Sequence, residues 1–134
     1  MLLRFEKAGI DAEIGLMDVP ALNPGSLVFL SAQGGESVAG FSSLGARGKR
    51  AERVADEAAN ALFDFLDSKA ALDHHLADQI LIYLAITPGE HRFTTSKVTQ
   101  HLLTNIWVIE QFLPVRFEVE GGVGEAGTVS KRDV

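Results

Sequence analysis

The chain has 134 residues, 46% of them hydrophobic and 22% charged, with a formal net charge of −6. That length supports one domain, or two small subdomains, and the composition is that of a globular protein rather than a disordered or fibrous one. The absence of cysteine excludes disulfides, thiol nucleophiles and cysteine-ligated zinc, and the acidic balance argues against broad, nonspecific attraction to nucleic acid. No run approaches membrane-spanning length, and Arg4, Glu6 and Lys7 break any signal-peptide core, so the expectation is a cytoplasmic location with no membrane partner.

Residues 2–8, with Leu2, Leu3 and Phe5 ahead of Gly9, predict the last turns of a helix whose beginning lies outside the chain. Ala12, Ile14 and Leu16 alternate within residues 10–19 and predict a short strand. Asn23-Pro24-Gly25 then predicts a turn and a hairpin-like return. Leu27-Val28-Phe29-Leu30 is a continuous apolar run suited to a strand buried on both faces, turned at Gln33-Gly34-Gly35 into a second strand over residues 37–41. Cover for these strands is expected from a helix over residues 50–66, with Val54, Ala58, Ala61, Leu62 and Phe65 on its apolar face and Arg53 paired with Glu57 on its surface.

Between strand and helix, Gly40-Phe41-Ser42-Ser43-Leu44-Gly45-Ala46-Arg47-Gly48-Lys49-Arg50 invites comparison with a phosphate-cradling loop. A P-loop places Lys, then Ser or Thr, directly after its second glycine, and here Ala46 follows Gly45. The stretch therefore reads as a flexible connection whose Arg47, Lys49 and Arg50 can touch an RNA backbone.

Asp67-Ser68-Lys69-Ala70 breaks the periodicity and marks a subdomain boundary, giving units of residues 1–70 and 71–134. Asp73 is a credible cap for the next helix, with Leu76, Ile80 and Leu84 as its apolar stripe. His74, His75, Asp78 and Gln79 cluster on its first turns. His74 and Asp78, four apart, are too few ligands for a metal, so no metal site is assigned. His75, Asp78 and Gln79 form one ridge able to stack on and hydrogen-bond a ligand, or simply a solvated helix face. A strand over residues 91–96 leads to a helix opened by Thr99 and closed before Pro114, with Leu102, Ile106, Ile109 and Leu113 on its buried side. His101 falls at the second helical position, where unpaired N–H groups and the positive dipole end disfavour imidazolium and can hold a phosphate, although a solvated histidine with no chemical role fits the position too. Residues 115–120 alternate as a strand, the glycines at 121, 122 and 124 make a turn, and residues 128–130 offer a partner strand before a charged, frayed end. Helix, strand, helix, strand and strand describe an α+β unit.

Three segments in order, Gly40-Phe41-Ser42-Ser43-Leu44-Gly45-Ala46-Arg47-Gly48-Lys49, His75-Leu76-Ala77-Asp78-Gln79, and His101-Leu102-Leu103-Thr104-Asn105-Ile106 with Phe112-Leu113-Pro114-Val115, resemble the carboxyl-terminal part of the RNA 3'-terminal phosphate cyclases. The likeness runs from about Leu2 to about Glu120 and implies the tail of a βαβαββ-type cyclase core preceded by part of a small α/β insert subdomain. It implies an ATP-dependent conversion of an RNA 3'-phosphate end to a 2',3'-cyclic phosphate through a covalent histidine–AMP intermediate, with magnesium or manganese accompanying the nucleotide. The resemblance makes His101 the catalytic nucleophile and gives adenylate contacts to His75, where relatives commonly carry tyrosine, and to Asp78 and Gln79. Members of the family are much longer, with an amino-terminal portion of repeated βαβαββ units. A segment of this size is therefore expected to associate with itself as a homo-oligomer or with an amino-terminal cyclase polypeptide. The alternative is an inert remnant that only self-associates or binds RNA.

Overall fold

The computed structural model describes residues 1–34 and 37–134, and the chain forms two compact units, Met1–Phe63 and Asp64–Val134. Both helices and antiparallel strands are present, and the fold class is α+β.

In the first unit, helix α1 (Leu2–Lys7) buries Phe5 and leaves Leu2 and Leu3 exposed. Gly9, at φ +68°, ends it in the left-handed conformation that glycine adopts without steric penalty. Arg4 stacks its guanidinium 5.0 Å from the Phe63 ring centroid and donates to Asn60 Oδ1 at 2.8 Å, tying α1 to helix α2 (Ala51–Ser68). The strand expected over residues 10–19 is not formed. Leu16, Met17 and Val19 are exposed there, and alternation alone makes no strand without a partner ladder. Residues 22 and 23 bend, but no hydrogen-bonded hairpin turn forms at Asn23-Pro24-Gly25.

Strands β1 (Leu27–Gly34) and β2 (Ser37–Leu44) pair antiparallel from Leu27↔Leu44 to Gly34↔Ser37. Gln33 and Gly34 belong to β1 rather than to a turn, and Gly35, the third residue of that expected turn, lies outside the described residues. Burial on both faces is also overturned. Leu27 and Phe29 are exposed while Val28 and Leu30 are half-buried, the alternation of a two-stranded ribbon with one covered side. Helix α2 buries Val54, Ala58, Ala59 and Leu62, whereas Ala61 is exposed and Phe65 half-buried. The i, i+4, i+8 ladder of 54, 58 and 62 was legible, and its flank falls on the other side from the one expected.

The glycine-rich connection is held rather than loose. Gly45 N–H donates to Ser26 O at 2.8 Å, and a Cβ there would stand 2.1 Å from Ser26 Oγ. Lys49 turns inward, donating to Leu44 O at 2.8 Å, to Ser43 Oγ at 3.2 Å and to the Glu57 carboxylate, which also accepts from Ser43 Oγ at 2.7 Å. Lys49 is therefore committed inside the fold, while Arg47 and Arg50 are exposed. The Lys49 ammonium first, and the Ser43 hydroxyl second, hold the Glu57 carboxyl far below the usual carboxylate range, at about 2. A depressed folded-state pKa contributes stability that is complete above the ordinary value of 4.5 and is lost as pH falls towards about 2. Acid titration of stability should therefore show a steeper fall across that window in the native chain than in Glu57→Gln. Parallel curves for the two proteins would refute the coupling.

In the second unit, α3 (His74–Gln79) and α4 (Leu81–Ile86) form one interrupted helical stretch joined at Ile80. Asp73 caps α3, its carboxylate accepting from His75 N–H at 2.8 Å and Leu76 N–H at 3.1 Å. The buried stripe is Ala77, Leu81 and Ala85, one residue later than the expected Leu76, Ile80 and Leu84, and Leu76 is exposed. Alanines at 77 and 85 permit close helix packing, which a reading weighted towards large side chains does not see. Strands β3 (His91–Thr95), β4 (Val115–Glu120) and β5 (Gly127–Asp133) form a sheet in the order β3-β5-β4, with β5 antiparallel to both neighbours. The outer two are therefore parallel and are joined across β5 by helix α5 (Gln100–Phe112). Leu72 adds a single parallel bridge beside Thr95, ahead of the order α3, α4, β3, α5, β4 and β5.

Val115, Phe117 and Val129 on the sheet meet Leu81 and Ala85 of α4 and Leu102, Ile106 and Ile109 of α5 in one core. The opposite sheet face is charged, with Arg132 beside Glu118 at 3.1 Å and Arg92 beside Glu120 at 3.6 Å. The frayed end expected after residue 130 is instead strand. Lys131 is 2% exposed, donating to Thr87 O at 2.8 Å, Gly89 O at 3.0 Å and the Asp133 carboxylate. A charge sequence alone cannot distinguish a solvated lysine from one with three oxygens waiting for it.

Candidate functional site

The sequence decides the start of α5. Thr99 is extended, at φ −111° and ψ 156°, and its Oγ1 accepts from Leu102 N–H at 3.0 Å, so one orphan donor of the first turn is satisfied by the cap. Gln100 and His101 follow as the first two helical residues, which puts His101 where its spacing from Thr99 predicted. The residues ahead of the cap are fixed by the glycine turn after β4. Val98 N–H donates to Glu125 O at 2.7 Å, and Gly124 N–H donates to Val98 O at 2.8 Å. Gly127 permits this approach, since a Cβ there would stand 2.5 Å from Val98 Cγ2.

One helical turn after His101, Asn105 lies on the same side of α5, and Asp78 of α3 faces both. His101 Nδ1 is 2.7 Å from Asp78 Oδ2, and Asn105 Nδ2 donates to Asp78 Oδ1 at 2.6 Å. An ionised carboxylate only accepts, so the proton of this hydrogen bond sits on Nδ1. In the neutral ring the lone pair is then on Nε2. The imidazole side chain is 74% exposed and the Asp78 side chain 17% exposed, so a sheltered carboxylate orients a ring whose other nitrogen is accessible. An outward lone pair on a ring of fixed tautomer is the arrangement a nitrogen nucleophile needs.

The four candidate residues thus separate. His101 and Asp78 are in direct contact, whereas His75 and Gln79 are exposed along α3. The His75 ring lies 4.0 Å from that of His74, not against His101. Burial first, then the neighbouring His75 and Lys97, hold His74 below the usual imidazole range. Among the described residues no group of three His, Cys, Asp or Glu side chains is gathered to hold a metal ion. No helix among them is long and apolar enough to cross a membrane. Sequence reasoning gave Asn105 no role, although its i+4 spacing from His101 was the available signal.

A family model described as RNA 3'-terminal phosphate cyclase matches residues 7–119. A protein of Thermococcus onnurineus called RNA 3'-terminal phosphate cyclase is 47% identical over 109 residues, covering 81% of this chain and 32% of its own length. Relatives of the same name from Methylococcus capsulatus and Methanopyrus kandleri are 45% and 46% identical over 90% and 84% of this chain. The chain spans about a third of the length of these curated relatives, with 33% and 32% of the latter two covered. A match over residues 7–119, with relatives at this identity, places the chain in the RNA 3'-terminal phosphate cyclase family.

Proposed function

We propose that this chain supplies the nucleophile of an ATP-dependent RNA 3'-phosphate cyclase and works with the amino-terminal portion typical of its longer relatives, whether on the same polypeptide or a separate one. The observation that carries the reading is the 2.7 Å contact of His101 Nδ1 with Asp78, which leaves Nε2 free for attack. His101 Nε2 forms a P–N bond to the α-phosphorus of ATP as the bond to the β-phosphate oxygen breaks and pyrophosphate leaves. An oxygen of the RNA 3'-phosphate then displaces His101 from that phosphorus, taking AMP. The adjacent 2'-hydroxyl, losing its proton, attacks the activated 3'-phosphate and expels AMP.

In this reading Asp78 accepts from His101 Nδ1 and so keeps the proton on that nitrogen as the P–N bond forms and breaks, and the first-turn N–H groups of Gln100 and His101 face the phosphoryl group. His75 and Gln79, exposed on α3, contact the adenylate ribose or base, and Asp78 serves the nucleotide through His101. The divalent cation implied by the resemblance has no three-ligand set among the described residues, so no step is routed through a metal held by this chain. Residues 1–70 are assigned to the insert subdomain and 71–134 to the catalytic body. Tyr83, Ile86, Trp107 and Phe112 are exposed in the second unit, and association with the amino-terminal portion or with a second copy would cover such residues.

The test is transfer of label from α-labelled ATP to protein, by this chain alone and with the amino-terminal portion of a relative added. The bound label should be acid-labile and alkali-stable, as a phosphoramidate is, and map to His101. Label that persists in His101→Ala overturns the proposal.

A further inference from the structure

We infer that Asn105 is a positioning residue for the His101 nucleophile, acting through Asp78 rather than touching nucleotide or RNA. The inference rests on the role proposed for His101. Its basis is that both oxygens of the Asp78 carboxylate are taken by donors from a single helix, Oδ2 by His101 Nδ1 at 2.7 Å and Oδ1 by Asn105 Nδ2 at 2.6 Å.

Rotation about the last bond of an aspartate side chain is soft and roughly two-fold, so a carboxylate with one partner can twist out of the plane of the ring it serves. A second donor on the other oxygen fixes that plane. The i, i+4 spacing places both donors on one side of α5, so the helix sets their separation and Asp78 is clamped between them. The carboxamide is suited to this task because it donates without titrating. A carboxylate at 105 would place two anions together, and a serine hydroxyl falls one bond short. Asp78 is only 17% exposed at its side chain, so water is a poor substitute for the lost donor. Asn105 thereby holds the carboxylate where it keeps the proton on Nδ1 and the lone pair on Nε2.

The experiment is nitrogen NMR of the histidine side chains in this chain, with Asn105→Leu, Asn105→Ser and Asn105→Asp beside the native protein. Native His101 should be mainly the Nδ1–H tautomer. Asn105→Leu and Asn105→Ser should shift it towards the Nε2–H form that histidine favours free in water. Asn105→Asp, which puts a carboxylate where the donor stood, should do the same, a change of tautomer that a purely structural role for Asn105 would not produce. Should Asn105→Leu fail to fold, the serine and aspartate variants carry the same comparison. A tautomer ratio unchanged in folded variants would overturn the inference, whatever the labelling assay gives. Label surviving in His101→Ala would instead overturn the nucleophile assignment, while the NMR comparison still reports whether Asn105 sets the tautomer.

Discussion

With Asp78 replaced by asparagine, label transfer from α-labelled ATP to the protein should fall on the order of 10³- to 10⁴-fold, the scale seen when a carboxylate that orients a catalytic imidazole becomes an amide. The reason is donor and acceptor matching. Asp78 accepts from His101 Nδ1 and from Asn105 Nδ2. A carboxamide at 78 has one acceptor atom and one donor atom, so it can satisfy only one of the two. If the oxygen stays with Asn105, the new NH₂ meets Nδ1 and selects the ring form whose lone pair is on Nδ1 and whose proton is on Nε2. The nucleophile is then capped by its own hydrogen. Asp78→Ala removes the orienting group without imposing the wrong tautomer and should be no worse than Asp78→Asn, despite the larger change in shape. Labelling by Asp78→Asn within about tenfold of native would show that the contact does not set reactivity.

Leu81→Ala should destabilise the second unit by about 2–5 kcal/mol, because Leu81 is 0% exposed and its removal leaves a cavity between helix and sheet. Small domains have stabilities of only about 5–15 kcal/mol, so this is a large share of what holds the unit folded. Leu76→Ala, five residues earlier and exposed, should cost no more than about 0.5 kcal/mol. Chemical denaturation of the two variants measures the difference directly. Equal losses would mean that the helix presents the Leu76 stripe to the core after all.

That pair of substitutions also locates the boundary of what the sequence discloses. The strand at Val115–Glu120, the Thr99 and Asp73 caps and the buried residues Leu102, Ile106 and Ile109 were legible because each rests on a local rule of pairing period or capping geometry. The register of α3 and α4 was not, since small alanines on the packed face and larger residues beside it invert the usual weighting. Residues 10–19 failed as a strand for want of a partner, a nonlocal condition that alternation cannot report. The site was legible in part. The position of His101 on its helix followed from Thr99, but its contact with Asp78 depends on how α3 packs against α5, and Asn105 enters only through that packing.

The order β3-β5-β4 has a consequence for assembly of the second unit. Its middle strand comes later in the sequence than both of its neighbours, so β3 and β4 cannot be joined into one sheet until residues 127–133 have left the ribosome. Before then α5 spans a gap, and its buried side lacks the central strand, with Val129, on which it packs. Shortening the chain to residue 126 would therefore not trim an edge. It would divide the sheet down its centre and leave two strands, each without the ladder that makes it one.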